Sequence, residues 1–239
     1  MLTLGYKASA EQFGPRRLLD LAVAAENAGF DSVWTSDHFQ PWKHTDGHAP
    51  NSLVWLGATA QATKRVVLGT SVLTPGYRYN PGVIAQAFAT LACLAPGRVI
   101  LGAGTGESLN EVVVGMDWPE QSERFARFKE ALDLIARLWR EERLTYEGQF
   151  YKTHNATIYD RPEQPVPIYI AAAGPAAAKL AGRTADGFIC TSGKPKELYL
   201  DTLIPGVKEG AEKAGRDAAS IPLTIEMKVS FDKIGRAHV

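Results

Sequence analysis

Sulfur, net charge and long apolar runs are what this sequence has least of. Only two of its 239 residues are cysteine, Cys93 and Cys190, and both sit inside apolar stretches. They are expected to be buried reduced thiols, which excludes a disulfide framework and leaves no thiolate set for a metal. Neither sign of charge dominates: 26 basic and 26 acidic side chains give a formal net charge of zero. Nucleic acid and anionic membranes therefore have no electrostatic claim as partners, although a local basic pocket for a phosphate stays open. No apolar run is long enough to span a bilayer, and MLTLGYKASAEQF lacks the basic-then-apolar layout of a signal peptide. A cytoplasmic protein is expected. The residues around the first β-rich run also lack a phosphate-binding glycine fingerprint, which weighs against the runner-up architecture, an open doubly wound sheet.

What is present is an alternation of short β-rich runs and longer helical ones. Strands are expected over residues 2–6, 31–35, 66–73, 99–103, 168–171, 188–191 and 223–230. Helices are expected over residues 52–62, 82–94, 120–141, 175–185 and 197–215, with a first one opening at Pro15 and closing at Gly29. Proline near a helix start and glycine past its end is the usual asymmetry. The strands are nearly all continuous apolar runs, as suits parallel strands buried on both faces. Thr145 to Tyr151 and the Pro-rich stretch that follows (YDRPEQPVP) break the rhythm, as an excursion between units would. The fold class is therefore α/β, a (β/α)8 barrel with about seven of its strands present, forming one domain over residues 1–233.

In such a barrel the chemistry gathers at the carboxyl ends of the strands. Read there, the chain offers Asp37-His38 and Trp42 after the second strand, Thr74 after the third, and Thr105-Gly106-Glu107 with Asn110 after the fourth. Ala173-Gly174 follows the fifth strand, and Thr191 to Lys194 the sixth. Together they supply a histidine, carboxylates, a lysine, hydroxyls and backbone amides, an inventory suited to proton transfer coupled to redox chemistry on an anionic cofactor. Each has a plainer use. A histidine after a strand is commonly a turn or core residue, Glu107 and Asn110 can serve a helix start, and Lys194 can be a solvated loop charge. A carboxylate beside His38 favours the functional reading, since it can fix the imidazole's tautomer. His44, Asp46 and His48 form too loose a cluster for a metal, and no metal site is expected. In LGAGTGE the glycine spacing is wrong for a dinucleotide fold; close backbone approach to a ligand is the use that survives.

The motifs GYKASAEQF, SDHFQPW, GHAP, LGTSVLTP-x-x-R-YNP, VIAQAFAT, LGAGTGE-x-LNE, ERFAR, IYIAAAGP and GFICTSGK, in this order, resemble the F420-dependent glucose-6-phosphate dehydrogenases of the luciferase-like barrel superfamily. The resemblance runs from Leu2 to about Phe231. It implies a homodimeric oxidoreductase that oxidises glucose 6-phosphate to 6-phosphogluconolactone with hydride transfer to coenzyme F420. It further implies that Asp37, Thr74, Thr105, Gly106 and Asn110 hold the deazaflavin. A cis peptide at Ser71-Val72 would lie behind its ring, and Ala173, Gly174, Ala176 and Ala177 would cradle its phosphate and tail. His38 and Glu107 would be the acid/base pair, Trp42 would shield the reacting centre, and Thr191 and Lys194 would bind substrate, the lysine facing the sugar phosphate. Ala173 departs from the family, which has glycine there. The rivals are a relative using F420 or FMN on another substrate, and a ligand-binding barrel without catalysis, against which the convergent acid, base and lysine argue.

Residues 234–239 (IGRAHV) match the translation of a common sequencing adapter. The expectation is a natural chain that continues past Lys233, with further phosphate-gripping basic residues beyond it; a chain ending there would carry half an anion clamp, and an inactive fragment is the alternative.

Overall fold

A computed structural model describes residues 2–229. The chain divides after Pro167 into two compact units.

In the first unit four parallel strands stand side by side in sequence order: β1 (Gly5–Ala8), β2 (Ser32–Thr35), β3 (Val67–Thr70) and β4 (Val99–Ala103). Their register runs Gly5↔Ser32↔Val67 and Leu68↔Val99. Helices α1 (Pro15–Asn27), α2 (Ser52–Ala62) and α3 (Pro81–Leu94) connect them. Pro15 and Pro81 occupy first-turn positions, where a missing N–H costs nothing. Asn51 and Asn80 cap α2 and α3 by accepting from Val54 N and Gly82 N. A short helix α4 (Ser108–Glu111) follows β4, and then the long α5 (Gln121–Leu138). Phe128, Leu132, Ile135 and Leu138 make the buried stripe of α5. The core of this unit holds Leu18, Leu56, Leu68, Ile84, Phe88 and Leu101, all essentially without exposure. Gly69 lies directly beneath the Trp34 ring, leaving room that any Cβ would fill.

The break in rhythm after α5 is an antiparallel hairpin, β5 (Leu144–Glu147) and β6 (Lys152–Ala156). Its turn is satisfied by Glu130 of α5, whose carboxylate accepts from the backbone N–H groups of Gln149, Phe150 and Tyr151.

The second unit repeats the strand–helix unit: β7 (Ile168–Ala171), α6 (Pro175–Thr184), β8 (Gly187–Thr191), α7 (Ile204–Lys213) and β9 (Leu223–Glu226), with β8 paired in parallel to both β7 and β9. Ile170, Phe188, Leu203 and Val207 form its core. Helices α6 and α7 touch backbone to backbone. A Cβ on Gly182 would sit 1.9 Å from the Val207 carbonyl oxygen, and one on Gly210 2.1 Å from that of Lys179.

Four expectations need correction. The first strand starts at Gly5 rather than at residue 2; Leu2 and Leu4 are 85% and 58% exposed, and Leu4 N donates to the Asp31 side chain instead of extending the ladder. The helix expected over 197–215 is π-helical over Leu198–Leu203 and becomes α-helical only at Ile204. Pro205 has no N–H for the regular i to i−4 bond, so the turn before it widens. Cys93 is exposed, while Cys190 is buried. The last strand ends at Glu226; Ser230 and the 234–239 tail lie outside the described residues.

Candidate active site

The end of β2 delivers three buried or half-buried residues in succession, Ser36, Asp37 and His38. Ser36 and His38 share one neighbour, Glu11, and Asp37 has others. Ser36 Oγ donates to Glu11, and the same Glu11 Oε1 stands 3.3 Å from His38 Nδ1. That approach lacks hydrogen-bond alignment, so Nδ1 is a buried ring nitrogen without a hydrogen-bond partner. On the other side of the ring, His38 Nε2 lies 3.7 Å from Glu107 Oε2. The imidazole side chain is 12% exposed, and that of Glu107 53%. Glu107 stands at the amino end of α4 but makes no capping bond, which removes the plainest structural use of its carboxylate. The Trp42 ring packs 5.2 Å from the imidazole, at 58°, while remaining 62% exposed. One histidine thus sits between two carboxylates beside a largely exposed aromatic ring.

Asp37 faces the other way, into a polar cluster. Its Oδ1 accepts from Ser52 Oγ at 2.6 Å and from Tyr79 OH at 3.2 Å, and its Oδ2 takes a bond from Arg78. The same Arg78 nitrogen donates to the Asp37 carbonyl at 2.8 Å, and the other arm of the guanidinium grips Glu111. Glu111 Oε2 also accepts from Arg78 N at 3.1 Å. The three side chains are 10%, 1% and 0% exposed for Arg78, Asp37 and Glu111. Burial pushes the Glu111 carboxyl up, and the Arg78 guanidinium opposes that only in part. Burial, followed by the Asp37 charge, pushes the Tyr79 hydroxyl up to about 12, so it stays a donor.

The remaining expected residues of the first unit lie on neighbouring turns. The Ser71-Val72 peptide is cis, and Lys7 Nζ donates to the Ser71 carbonyl. Leu73 bonds to Gly102 and Gly104, which carries Thr74 to the end of β4. There Gly106, at φ +88°, leaves space that a Cβ would take within 2.8 Å of Thr74. Only glycine combines that backbone angle with so close an approach. Asn110 is buried, and its Oδ1 accepts from Phe39 N at 2.9 Å, so it braces the residue after His38. Thr105 is half-buried beside it.

In the second unit Ala173 and Ala176 are exposed and Gly174 and Ala177 half-buried, all around the start of α6. A Cβ at Gly174 would meet nothing within 4 Å. Thr191 and Lys194 are exposed in the turn after β8, where Tyr199 OH donates to the Thr191 carbonyl at 2.7 Å and accepts from Lys194 N at 3.2 Å. The lysine backbone is therefore fixed while its ammonium remains in the open. Composition and strand-end position alone did not single out Glu11, Arg78, Tyr79 and Glu111. The available signal was the charge of Arg78 inside LTP-x-x-R-YNP, a run otherwise fit for a buried turn.

Residues 2–234 match the family model described as luciferase-like monooxygenase. The chain belongs to this luciferase-like family, and its fold class is the luciferase-like TIM-type barrel expected from the sequence. It is 65% identical over 232 residues to the F420-dependent glucose-6-phosphate dehydrogenase of Kineococcus radiotolerans, covering 97% of this chain and 69% of that protein. With the protein of the same name from Nakamurella multipartita it shares 66% over 231 residues, covering 97% and 68%. Among solved structures it is similar to an F420-dependent secondary alcohol dehydrogenase in complex with an F420-acetone adduct, with TM-score 0.90 and 39% identity over 93% of this chain and 68% of that one. No helix among the described residues is long and apolar enough to cross a membrane.

Proposed function

We propose that this chain is an oxidoreductase that oxidises glucose 6-phosphate to 6-phosphogluconolactone and passes the hydride to coenzyme F420. The observation that carries the reading is the His38 imidazole set between Glu11 and Glu107 under Trp42. The high identity to dehydrogenases of that name supports the choice of cofactor and substrate.

The residues fit such a cofactor. In the first unit, a buried His38 nitrogen without a hydrogen-bond partner is what a planar ring would use; in the second, the open turn at Gly174 is what a phosphate tail would use. Ser71, Val72, Thr74, Thr105, Gly106 and Asn110 would hold the ring, with Asp37, whose carboxylate oxygens are taken by Ser52, Tyr79 and Arg78, supporting them from the buried network, and Ala173, Gly174, Ala176 and Ala177 would hold the tail. With Oδ1 of Asn110 taken by Phe39, its amide nitrogen keeps two donors to offer. When bound, coenzyme F420 supplies a carbon that accepts hydride. His38 takes the proton of the C1 hydroxyl as C1 gives up its hydride, and Glu107, 3.7 Å away, holds the second proton of the reaction. Trp42 excludes water. Thr191 and Lys194 bind substrate, and the open ammonium of Lys194 favours a sugar phosphate over an uncharged alcohol. The balanced charge supports small-molecule partners rather than nucleic acid; the family resemblance is what supports a homodimer, and a cytoplasmic location is proposed with it.

The test is loss of the oxidised cofactor's absorbance with glucose 6-phosphate, beside FMN and secondary alcohols as alternatives. His38→Ala is expected to cut the rate ~10²-fold or more, as for a general base. A rate near wild type removes His38 from the mechanism, and turnover only with FMN or an alcohol overturns the assignment.

A further inference from the structure

The two proton-handling residues of the proposed reaction come from different places, His38 from the end of β2 and Glu107 from the start of α4. Neither is anchored by a side-chain hydrogen bond of its own: Nδ1 of His38, though 3.3 Å from Glu11, lacks a hydrogen-bond partner, and Glu107 caps nothing. Their 3.7 Å separation must therefore be set by the backbones that carry them.

Two cross-links join those backbones, one on each side of His38 in the sequence. Before it, the Arg78 guanidinium holds both the carbonyl and the carboxylate of Asp37 with one arm, and Glu111 with the other. After it, Phe39 N donates to Asn110 Oδ1. Asn110 and Glu111 are adjacent on α4, a single turn beyond Glu107. The Arg78 backbone adds a further bond to Glu111 Oε2, so the guanidinium and its own peptide grip one carboxylate together. A planar fork is what such a bridge requires, because it donates in two directions at fixed angles where an ammonium is a point charge.

We infer that Arg78 is a positioning residue for the proposed dehydrogenase reaction: by bridging Asp37 and Glu111 it sets the distance between His38 and Glu107. It touches neither reacting group, and it acts through the peptide on the amino side of His38 and through α4. The bond from Phe39 to Asn110 alone leaves a pivot, and the Arg78 bridge removes it. This inference rests on the proposed roles of His38 and Glu107.

The experiment is a double-mutant cycle in kcat. Arg78→Lys keeps the buried positive charge and loses the fork. In the wild-type background it is expected to lower kcat at least ~10-fold with KM for glucose 6-phosphate nearly unchanged, since misplacement of about 1 Å can cost ~10²-fold. In a Glu107→Gln background the same change should lower kcat no more than about twofold, because the pair it aligns is already broken. A merely structural role would cost the same in both backgrounds, and that additivity overturns the inference. So does a folded Arg78→Lys protein with wild-type kcat. Glu111→Gln replaces Arg78→Lys in the cycle if the lysine variant fails to fold, with the same pattern expected. Should neither His38→Ala nor Glu107→Gln affect turnover, the proposed function itself fails, an outcome separate from additivity in the cycle.

Discussion

Gly182 offers the sharpest test of the second unit, because propensity and packing disagree about its sign. It lies inside α6, where alanine is favoured over glycine by ~1 kcal/mol in backbone terms. Its Cβ would, however, stand 1.9 Å from the Val207 carbonyl oxygen, 2.8 Å from the carbonyl carbon and 2.9 Å from Ala211 N, where ordinary contact begins at 3.4 Å. These are backbone atoms of α7, so no side chain can swing aside. The helices would have to part by roughly 1.5 Å, loosening Ala178, Ala181, Val207 and Ala211 along the seam; packing of this kind typically costs ~1–3 kcal/mol. Gly182→Ala should therefore destabilise by about 1 kcal/mol net, despite the helix scale. Gly57 is the control, an interior glycine of α2 whose Cβ would meet nothing within 4 Å. Gly57→Ala should stabilise by ~0.5–1 kcal/mol. Urea unfolding followed by circular dichroism reads both, with midpoints moving in opposite directions. A Gly182→Ala midpoint at or above wild type would refute the backbone contact between α6 and α7.

Glu26 gives a pH-dependent term. Burial raises its carboxyl, but the backbone N–H groups of Arg65, Val66 and Lys64 more than offset this, so its pKa is lowered below 4.5. A depressed carboxyl contributes stability that is present above its unfolded value, about 4.3, and is lost as pH falls through the folded one. Glu26→Gln should therefore flatten the acid limb of the stability curve, and Glu26→Ala should cost ~1–2 kcal/mol at neutral pH, read by thermal melts at several pH values. An unchanged acid limb contradicts the bonding. Native protein should react quickly with a thiol reagent at Cys93 alone, because Cys190 is buried and burial, with the Glu226 charge, pushes its thiol up. Rapid titration of two thiols would contradict this.

The alternation of apolar runs located β4 and β7 to the residue, and α2 likewise, because each is a short or capped run bounded by residues that cannot continue it. The same signal failed at α3, which is apolar nearly all round. There periodicity could not say that Cys93 and Leu94 face solvent while Phe88 and Leu91 do not. It failed again at residues 2–4, where leucines that look like a strand are exposed, since what ends β1 is the register of its pairing with β2.

The site divides along the same line. That His38 would meet Trp42 and Glu107 was legible because all three follow strands, and strand ends in a barrel share a rim. What supports them was hidden by its chemistry. A lone arginine in a turn reads as a surface charge, and an aspartate and a glutamate in separate segments carry no mark of a common partner. Burial makes them informative, since an ion of either sign taken out of water persists only when paired. Asp37, Arg78 and Glu111 come from three segments and meet only once β2, β3 and β4 are in register. Asp37 and His38 are neighbours with opposite duties for that reason. The carboxylate turns inward to close an ion network, and the imidazole turns out to meet Glu107. A strand end is the place where successive side chains can be given to different faces.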